Sequence, residues 1–342
     1  MKKRQRKYRQ LFSYLYRKSK HYIETPLHFA RWKFFPKRPT TLKSSAYQDL
    51  ALRNNPKHPG PIIAPPRTGL FQISFHADFQ RLQYLSCVIE EIDKYAVGLK
   101  TIIVHTNCKF SARLLQHLFP SVTIKAHRDL KHPFDLTWQH RKTLIECNTS
   151  YDVYAYFEDD ILLPATAFFT WWQQSADLAD FGLIPGLLRV ELDRHGEWVM
   201  SDLPKLNGDT LFELQRIGCH NYAYIHYPYQ ACWLATRRIF EIWRSSGQIF
   251  DGPVEWETRE RAAAGPGFEK MTLREPHRKR IRLDDNGMVP TSSLVVHLPN
   301  NYGQRPIPHK NGLGTRRLSE IQKIIQNLAA KSVTALLISS FF

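Results

Sequence analysis

The sequence is short of the features that mark disulfide, zinc and membrane proteins. Its five cysteines, Cys87, Cys108, Cys147, Cys219 and Cys232, lie far apart in 342 residues, with no CxxC pair and no histidine cluster at zinc spacing. That excludes a disulfide framework or a zinc finger and predicts buried, reduced thiols. No apolar run approaches the ~20 residues that a spanning helix needs. The opening MKKRQRKYRQLFSYLYRKSK has only a six-residue apolar centre before charge returns at Arg17, too short for a secretory leader. The expectation is a cytoplasmic protein. There is no internal repeat.

Acidic residues are scarce in one region only. Positions 1–44 carry 14 Lys and Arg against the single acid Glu24, which leaves 34 basic and 30 acidic residues for positions 45–342. Most of the net charge of +17 therefore belongs to an arm, and the nearly balanced body argues against a specific nucleic-acid partner. In the arm Leu11, Tyr14, Leu15, Lys18 and Tyr22 recur at helical spacing. An amphipathic helix on an anionic membrane surface, which would make the protein peripheral on the inner face, and a solvated basic tail explain this equally well. The expected organisation is a basic arm over 1–52, a Pro-rich linker over 53–69, one domain over 70–305, and a C-terminal amphipathic helix with an apolar tail over 306–342.

What is present is a globular composition, 43% hydrophobic and 13% aromatic. LFQISF, TIIVHTN, VTIKAH and YDVYAYF read as strands, while RLQYLSCVIEEIDKYA and LTWQHRKTLIECN carry the helical period. Strands that alternate with helices and are themselves near-continuous apolar runs predict an α/β fold with a parallel sheet covered on both faces. Farther on, FGLIPGLLRVEL, EWVMSDL, YQACWLA and TSSLVVHL read as strands, and TRRIFEIWRSS and VEWETRERAAAG as helices.

The strand YDVYAYF delivers three consecutive carboxylates, Glu158, Asp159 and Asp160. Adjacent like charges repel, so a site that gathers them supplies a cation or several donors. Oxygen ligands suit Mn2+ or Mg2+, which share substrate phosphate oxygens with one or two protein carboxylates. Asp160 is the expected ligand, with Glu158 and Asp159 turned to the metal's waters or to a nucleotide ribose. A solvated acidic turn is the simpler alternative for the triplet taken alone.

YAYFEDDI after an alternating βα half resembles the acidic motif of GT-A-type glycosyltransferases, which are nucleotide-diphospho-sugar transferases. LTWQHR, GLIPGLLRVE and SSLVVHLPNNY extend the resemblance over roughly 70–305, leaving out the arm; the motif's first position is Glu where many members have Asp. The resemblance implies a GT-A-like, Rossmann-type mixed sheet, mostly parallel and flanked by helices. It also implies a nucleotide-sugar donor and a glycan or lipid-linked acceptor. His297 matches the family's late histidine at the metal or diphosphate, although a satisfied histidine at a strand end explains it as well. His76, Asp78 and Arg81, with Asn107, follow strands where such enzymes seat base and ribose. Asp78 could equally be a helix N-cap.

Arg141 could reach a phosphate, with helix-surface charge as the alternative and the favoured reading for His140. Arg189 and Glu191 suit sugar binding or a salt-bridged strand edge, and Tyr229 and Trp233 suit sugar stacking or core. An inverting transfer needs a carboxylate base for the acceptor hydroxyl. Glu260 is the first candidate, Glu257 the second and Asp251 the third, each equally explained by surface ion pairing. Two other classes remain: a metal-dependent phosphoryl-transfer enzyme such as a nuclease, and a non-catalytic membrane-surface binding protein.

Overall fold

The structure is a computed structural model that describes residues 63–78, 81–107, 109–204, 212–226, 229–250, 252, 258–268, 277–303 and 313–339. The basic arm and positions 53–62 of the expected linker lie outside the described residues. The first half runs β1 (Thr68–Phe75), α1 (Leu82–Asp93), β2 (Leu99–Thr106), α2 (Lys109–Leu118), β3 (Thr123–Ala126), a 3-10 turn (Pro133–Trp138), α3 (Gln139–Glu146) and β4 (Val153–Glu158). β5 (Ile161–Leu162), α4 (Ala165–Ala179), β6 (Ile184–Pro185), β7 (Leu188–Leu192) and β8 (Trp198–Pro204) follow. A hairpin of β9 (Phe212–Ile217) and β10 (His220–Ile225) leads to β11 (Cys232–Thr236), α5 (Arg237–Ser245) and α6 (Thr258–Ala264). β12 (Lys279–Arg282), β13 (Leu294–His297), β14 (Leu313–Arg317) and α7 (Leu318–Ser339) complete the chain.

The α/β class is as expected. β1 and β4 are buried along nearly their whole length, so the apolar runs LFQISF and VYAYF meet cover on both faces. α1 buries Leu82, Leu85, Val88, Ile89 and Ile92, the single stripe that its spacing dictates. The main sheet has the order β11-β4-β1-β2-β3, with β1 to β4 parallel and β11 antiparallel on its edge. Because the chain builds outward from β1 to β3 and then returns to β4 on the other side, the order reverses between β1 and β4. Open α/β sheets place ligands beyond the strand ends at such a reversal.

Two smaller sheets, β6-β12-β10-β9 and β14-β8-β7-β13-β5, are mainly antiparallel, so parallel pairing dominates only the first half. β14 pairs with β8, which brings residues 313–317 into a sheet of the domain although the sequence reading closed that domain at 305. The other boundary also shifts, because β1 begins at Thr68, two residues inside the Pro-rich stretch. Its approach is tied down: Ile63 and Gln173 exchange two hydrogen bonds of 2.8 Å, and Trp172 Nε1–H donates to the Ala64 carbonyl at 2.9 Å. Positions 332–339 of the expected apolar tail lie in α7, whose earlier turns bury Ile321 and Ile325, and positions 340–342 lie outside the described residues. Among the described residues no helix is long and apolar enough to cross a membrane.

The cysteines divide. Cys87 and Cys232 are buried as expected, whereas Cys147 is half-buried and Cys219 is exposed, beside His220 in the turn between β9 and β10.

Candidate active site at the carboxyl ends of β1 and β4

The acidic triplet is not a solvated turn. Glu158, Asp159 and Asp160 are 8%, 1% and 4% exposed, held where β4 gives way to β5. Local pairing explains how they stay buried: the Glu158 amide donates to the Ala231 carbonyl and the Asp159 amide to the Ser74 carbonyl, both at 3.2 Å. The triplet is thereby fixed against β11 on one side and β1 on the other.

The charge that offsets the triplet comes from the chain itself. Arg81, just before α1, donates from Nε to Asp159 at 2.8 Å and from Nη2 to both Asp159 and Asp160, the latter at 2.8 Å. This bidentate fork is the strong form of an arginine–carboxylate pair. Arg81 therefore binds the acids, and in the structure it does not face outward toward a base or ribose as the sequence suggested. The loop that carries it is shaped by Asn107, whose Oδ1 accepts from the Ala77 amide at 3.0 Å and whose Nδ2 lies 3.2 Å from His76 Nδ1. Asp78 is exposed on this loop, and the residue at the helix N-cap position is Arg81, whose side chain makes no capping bond.

Pairing of β5 with β13 sets His297 opposite Ile161 and so brings it to Asp160, with Nε2 3.4 Å from Oδ2. Its Nδ1 donates to Glu191 Oε1 at 2.6 Å, and the other Glu191 oxygen accepts from the amides of Tyr302 and Gly303 at 2.9 and 2.7 Å. Glycine is needed at 303: a Cβ there would lie 2.8 Å from the Leu192 carbonyl oxygen and 3.3 Å from Glu191 Cβ. Glu191 is fully buried in an interior strand, so its expected place at a salt-bridged edge or against a sugar gives way to orienting His297. Arg189 on the same strand is buried with its guanidinium over the rings of Tyr229 and Tyr302, 4.9 and 5.7 Å from their centroids.

Arg259, which the sequence reading passed over, lies 3.8 Å from Glu158 and 3.5 Å from Glu260. It links the first-choice base to the acidic triplet, although nothing but its position beside Glu260 in TRERAAA signals this. Glu257 and Asp251 lie outside the described residues. The Tyr229 hydroxyl donates to Glu158 at 3.3 Å.

Two expected ligand-facing residues are core instead. Arg141 is enclosed between Trp138 and Trp243 and donates to the carbonyls of Gln248 and Arg261, so it does not serve a phosphate. Trp233 is 1% exposed, packed on Tyr156 and Trp243, with Nε1–H donating to His140. Its ring is covered on the side where Gly265 passes, since a Cβ at that glycine, whose φ is +67°, would lie 2.2 Å from the indole. His140 is buried as well, and not on the helix surface as expected.

Electrostatics separates the carboxylates. Burial pushes Asp159 up to about 7 against the pull of Arg81, with Asp160 and Glu158 adding to the rise. Burial also raises Glu158. For Asp160 burial is outweighed by the hydrogen bond and charge of His297 and by Arg81, which hold it well below the carboxylate range. Burial would lower His297, but its hydrogen bonds to Asp160 and Glu191 raise it above the usual imidazole value.

Among the described residues no group of three or more His, Cys, Asp and Glu side chains is arranged to hold a metal ion. Two donors do fit a magnesium or manganese ion that takes its remaining ligands from water and phosphate. Asp160 Oδ1 is buried and has no hydrogen-bond partner, and His297 Nε2 stands beside the same carboxylate. A carboxylate on the far nitrogen of a ligating histidine, here Glu191, is the usual support of such a ligand.

No family model matches the chain, and no curated protein matches it in sequence. Among solved structures it is similar to GalNAc-T7 with UDP, GalNAc and Mn2+, at a TM-score of 0.42 and 10% identity over 72% of this chain and 45% of that one. It is also similar to S. aureus TarS 1-349, at 0.39 and 9% over 63% and 57%, and to the mannosyltransferase PcManGT from Pyrobaculum calidifontis in complex with GDP-Man and Mn2+, at 0.34 and 10% over 72% and 62%. The chain thus spans about half the length of the first of these. At such identities and TM-scores below 0.5, the functional reading has to rest on the site itself.

Proposed function

We propose that the chain is a glycosyltransferase that moves a sugar from a nucleoside-diphosphate donor to an acceptor hydroxyl, with Mn2+ or Mg2+ held by Asp160 and His297. The observation that carries this reading is the buried triplet at the β1/β4 reversal, joined across the sheets to His297 and retaining one unpartnered carboxylate oxygen, Asp160 Oδ1. When bound, the metal supplies a Lewis acid that neutralises charge growing on the departing diphosphate.

The chain's own groups do the rest. Glu191 accepts from His297 Nδ1 and so aims Nε2 at the Asp160 side. Arg81 and Arg189 add positive charge around the same carboxylates. His76 after β1 and Asn107 after β2, 3.2 Å apart, are the proposed seat of the nucleoside. Glu260, half-buried in the first turn of α6 and anchored by Arg259, is the proposed base that takes the acceptor's proton.

The test is a thermal-shift screen of nucleotide sugars with Mn2+, because donor binding stabilises the folded state by mass action. Release of nucleoside diphosphate from the best donor is then followed in Asp160→Asn. Turnover is expected to fall roughly hundredfold or more with the fold retained. Unchanged turnover in that variant would remove the triplet from the mechanism.

A further inference from the structure

Arg81 and a divalent ion compete for the same carboxylate, Asp160. The guanidinium bridges two adjacent carboxylates, Asp159 and Asp160, and is itself 31% exposed, whereas the carboxylate side chains beneath it are 2% and 6% exposed. It therefore sits between the acids and solvent. An ion ligated by Asp160 Oδ1 would bring two positive charges next to a guanidinium that already contacts Oδ2 of the same carboxylate. Like charges at such range in a poorly solvated site repel strongly. The ion can bind well only if the guanidinium moves off Asp160, and the arginine then needs another anion. A diphosphate offers what the fork requires: pairs of oxygens that accept parallel N–H bonds.

We propose that Arg81 is a resident cation that keeps the divalent ion off Asp160 until a nucleoside diphosphate draws the guanidinium away, so that metal and donor enter together. The inference rests on the glycosyltransferase reading, and it assigns Arg81 the role of a positioning residue that gates metal affinity. It accounts for two features at once. The triplet stays buried and balanced before any ligand arrives, and yet one Asp160 oxygen is left without a hydrogen bond.

The test is a titration of the full chain with Mn2+, followed by the electron paramagnetic signal of the free ion, with and without uridine diphosphate. Wild type and Arg81→Gln are compared. Wild type is expected to bind Mn2+ alone at least tenfold more weakly than the variant, and uridine diphosphate is expected to close most of that gap. Equal Mn2+ affinity of the two proteins in the absence of nucleotide overturns the proposal. If the nucleotide changes nothing in either protein while the variant still binds Mn2+ more tightly, gating by Arg81 stands and the glycosyltransferase reading falls. If both proteins bind nucleotide only with Mn2+ but share one metal affinity, the reading stands and the gate falls.

Should Arg81→Gln fail to fold because its acids are uncompensated, labelling of wild-type Arg81 with an arginine-selective dicarbonyl decides. Saturating Mn2+ should raise the labelling severalfold and added uridine diphosphate should reverse the rise. Labelling indifferent to Mn2+ contradicts the proposal.

Discussion

The molecule buries histidine in two ways, and the contrast explains its chemistry. At the β1/β4 reversal His297 is 5% exposed between Asp160 and Glu191; elsewhere His277 is equally buried, and His140 is wholly so. The two backgrounds shift the imidazole in opposite directions. The carboxylates raise His297 in spite of burial. His277 donates from Nε2 to the Ile225 carbonyl at 2.6 Å and accepts at Nδ1 from the Lys279 amide, and burial lowers it to about 3. His140 likewise donates to the Thr137 carbonyl and accepts from Trp233, a set that only the neutral ring can satisfy. Burial alone does not fix the charge; the partner does. His297 sits among carboxylates, whereas His277 and His140 have only neutral hydrogen-bond partners.

Breaking the charged side should have the largest effect. Glu191→Gln removes the ionic partner of His297 while nearly preserving its shape, and metal-supported turnover is expected to fall roughly 10–100-fold. Steady-state rates across a Mn2+ series check this, with the loss partly recovered at high metal. A variant as active as wild type at low Mn2+ would show that Glu191 is only structural.

The neutral side should respond to acid instead. His277 has a folded value near 3 and an ordinary unfolded one near 6.5, so between those limits the unfolded chain binds the extra proton and stability falls as pH is lowered. From pH 7 to pH 5 this single group costs about 2 kcal/mol. Urea unfolding at both pH values should show a drop smaller by that amount in His277→Gln than in wild type. Equal drops would mean that the ring is not held neutral.

The smallest effect lies within the charged side. Tyr229→Phe deletes the hydroxyl that donates to Glu158 and should reduce stability by about 1 kcal/mol, read as a modest fall in melting temperature. A loss several times larger would indicate that Glu158 depends on this bond for its place in the site.

The first half of the fold was legible because α1 carries one clean helical period and β1 and β4 are near-continuous apolar runs, and the triplet was legible because it follows such a run in an alternating βα pattern. His297 was legible only through resemblance. What sequence could not reveal was direction. Arg141 has the look of a solvated helix cation, yet Trp138 and Trp243 close over it; Glu191 has the look of an exposed strand acid, yet the backbone amides of Tyr302 and Gly303 receive it. Arg81 and Arg259 were hidden for the same reason: their partners are 78 and 101 residues away in the chain, and only the fold brings them together, through the return of the chain to β4 beside β1 for Arg81 and the packing of α6 on β4 and β11 for Arg259.

The central claim is that Asp160 carries a divalent ion for a diphosphate. Calorimetric titration of uridine diphosphate into wild type and Asp160→Asn, each with Mn2+ and with chelator, tests it most directly. The account expects binding by wild type with Mn2+, and a loss of at least tenfold in affinity on chelation or in the variant. Equal binding by Asp160→Asn, with or without the metal, would contradict it.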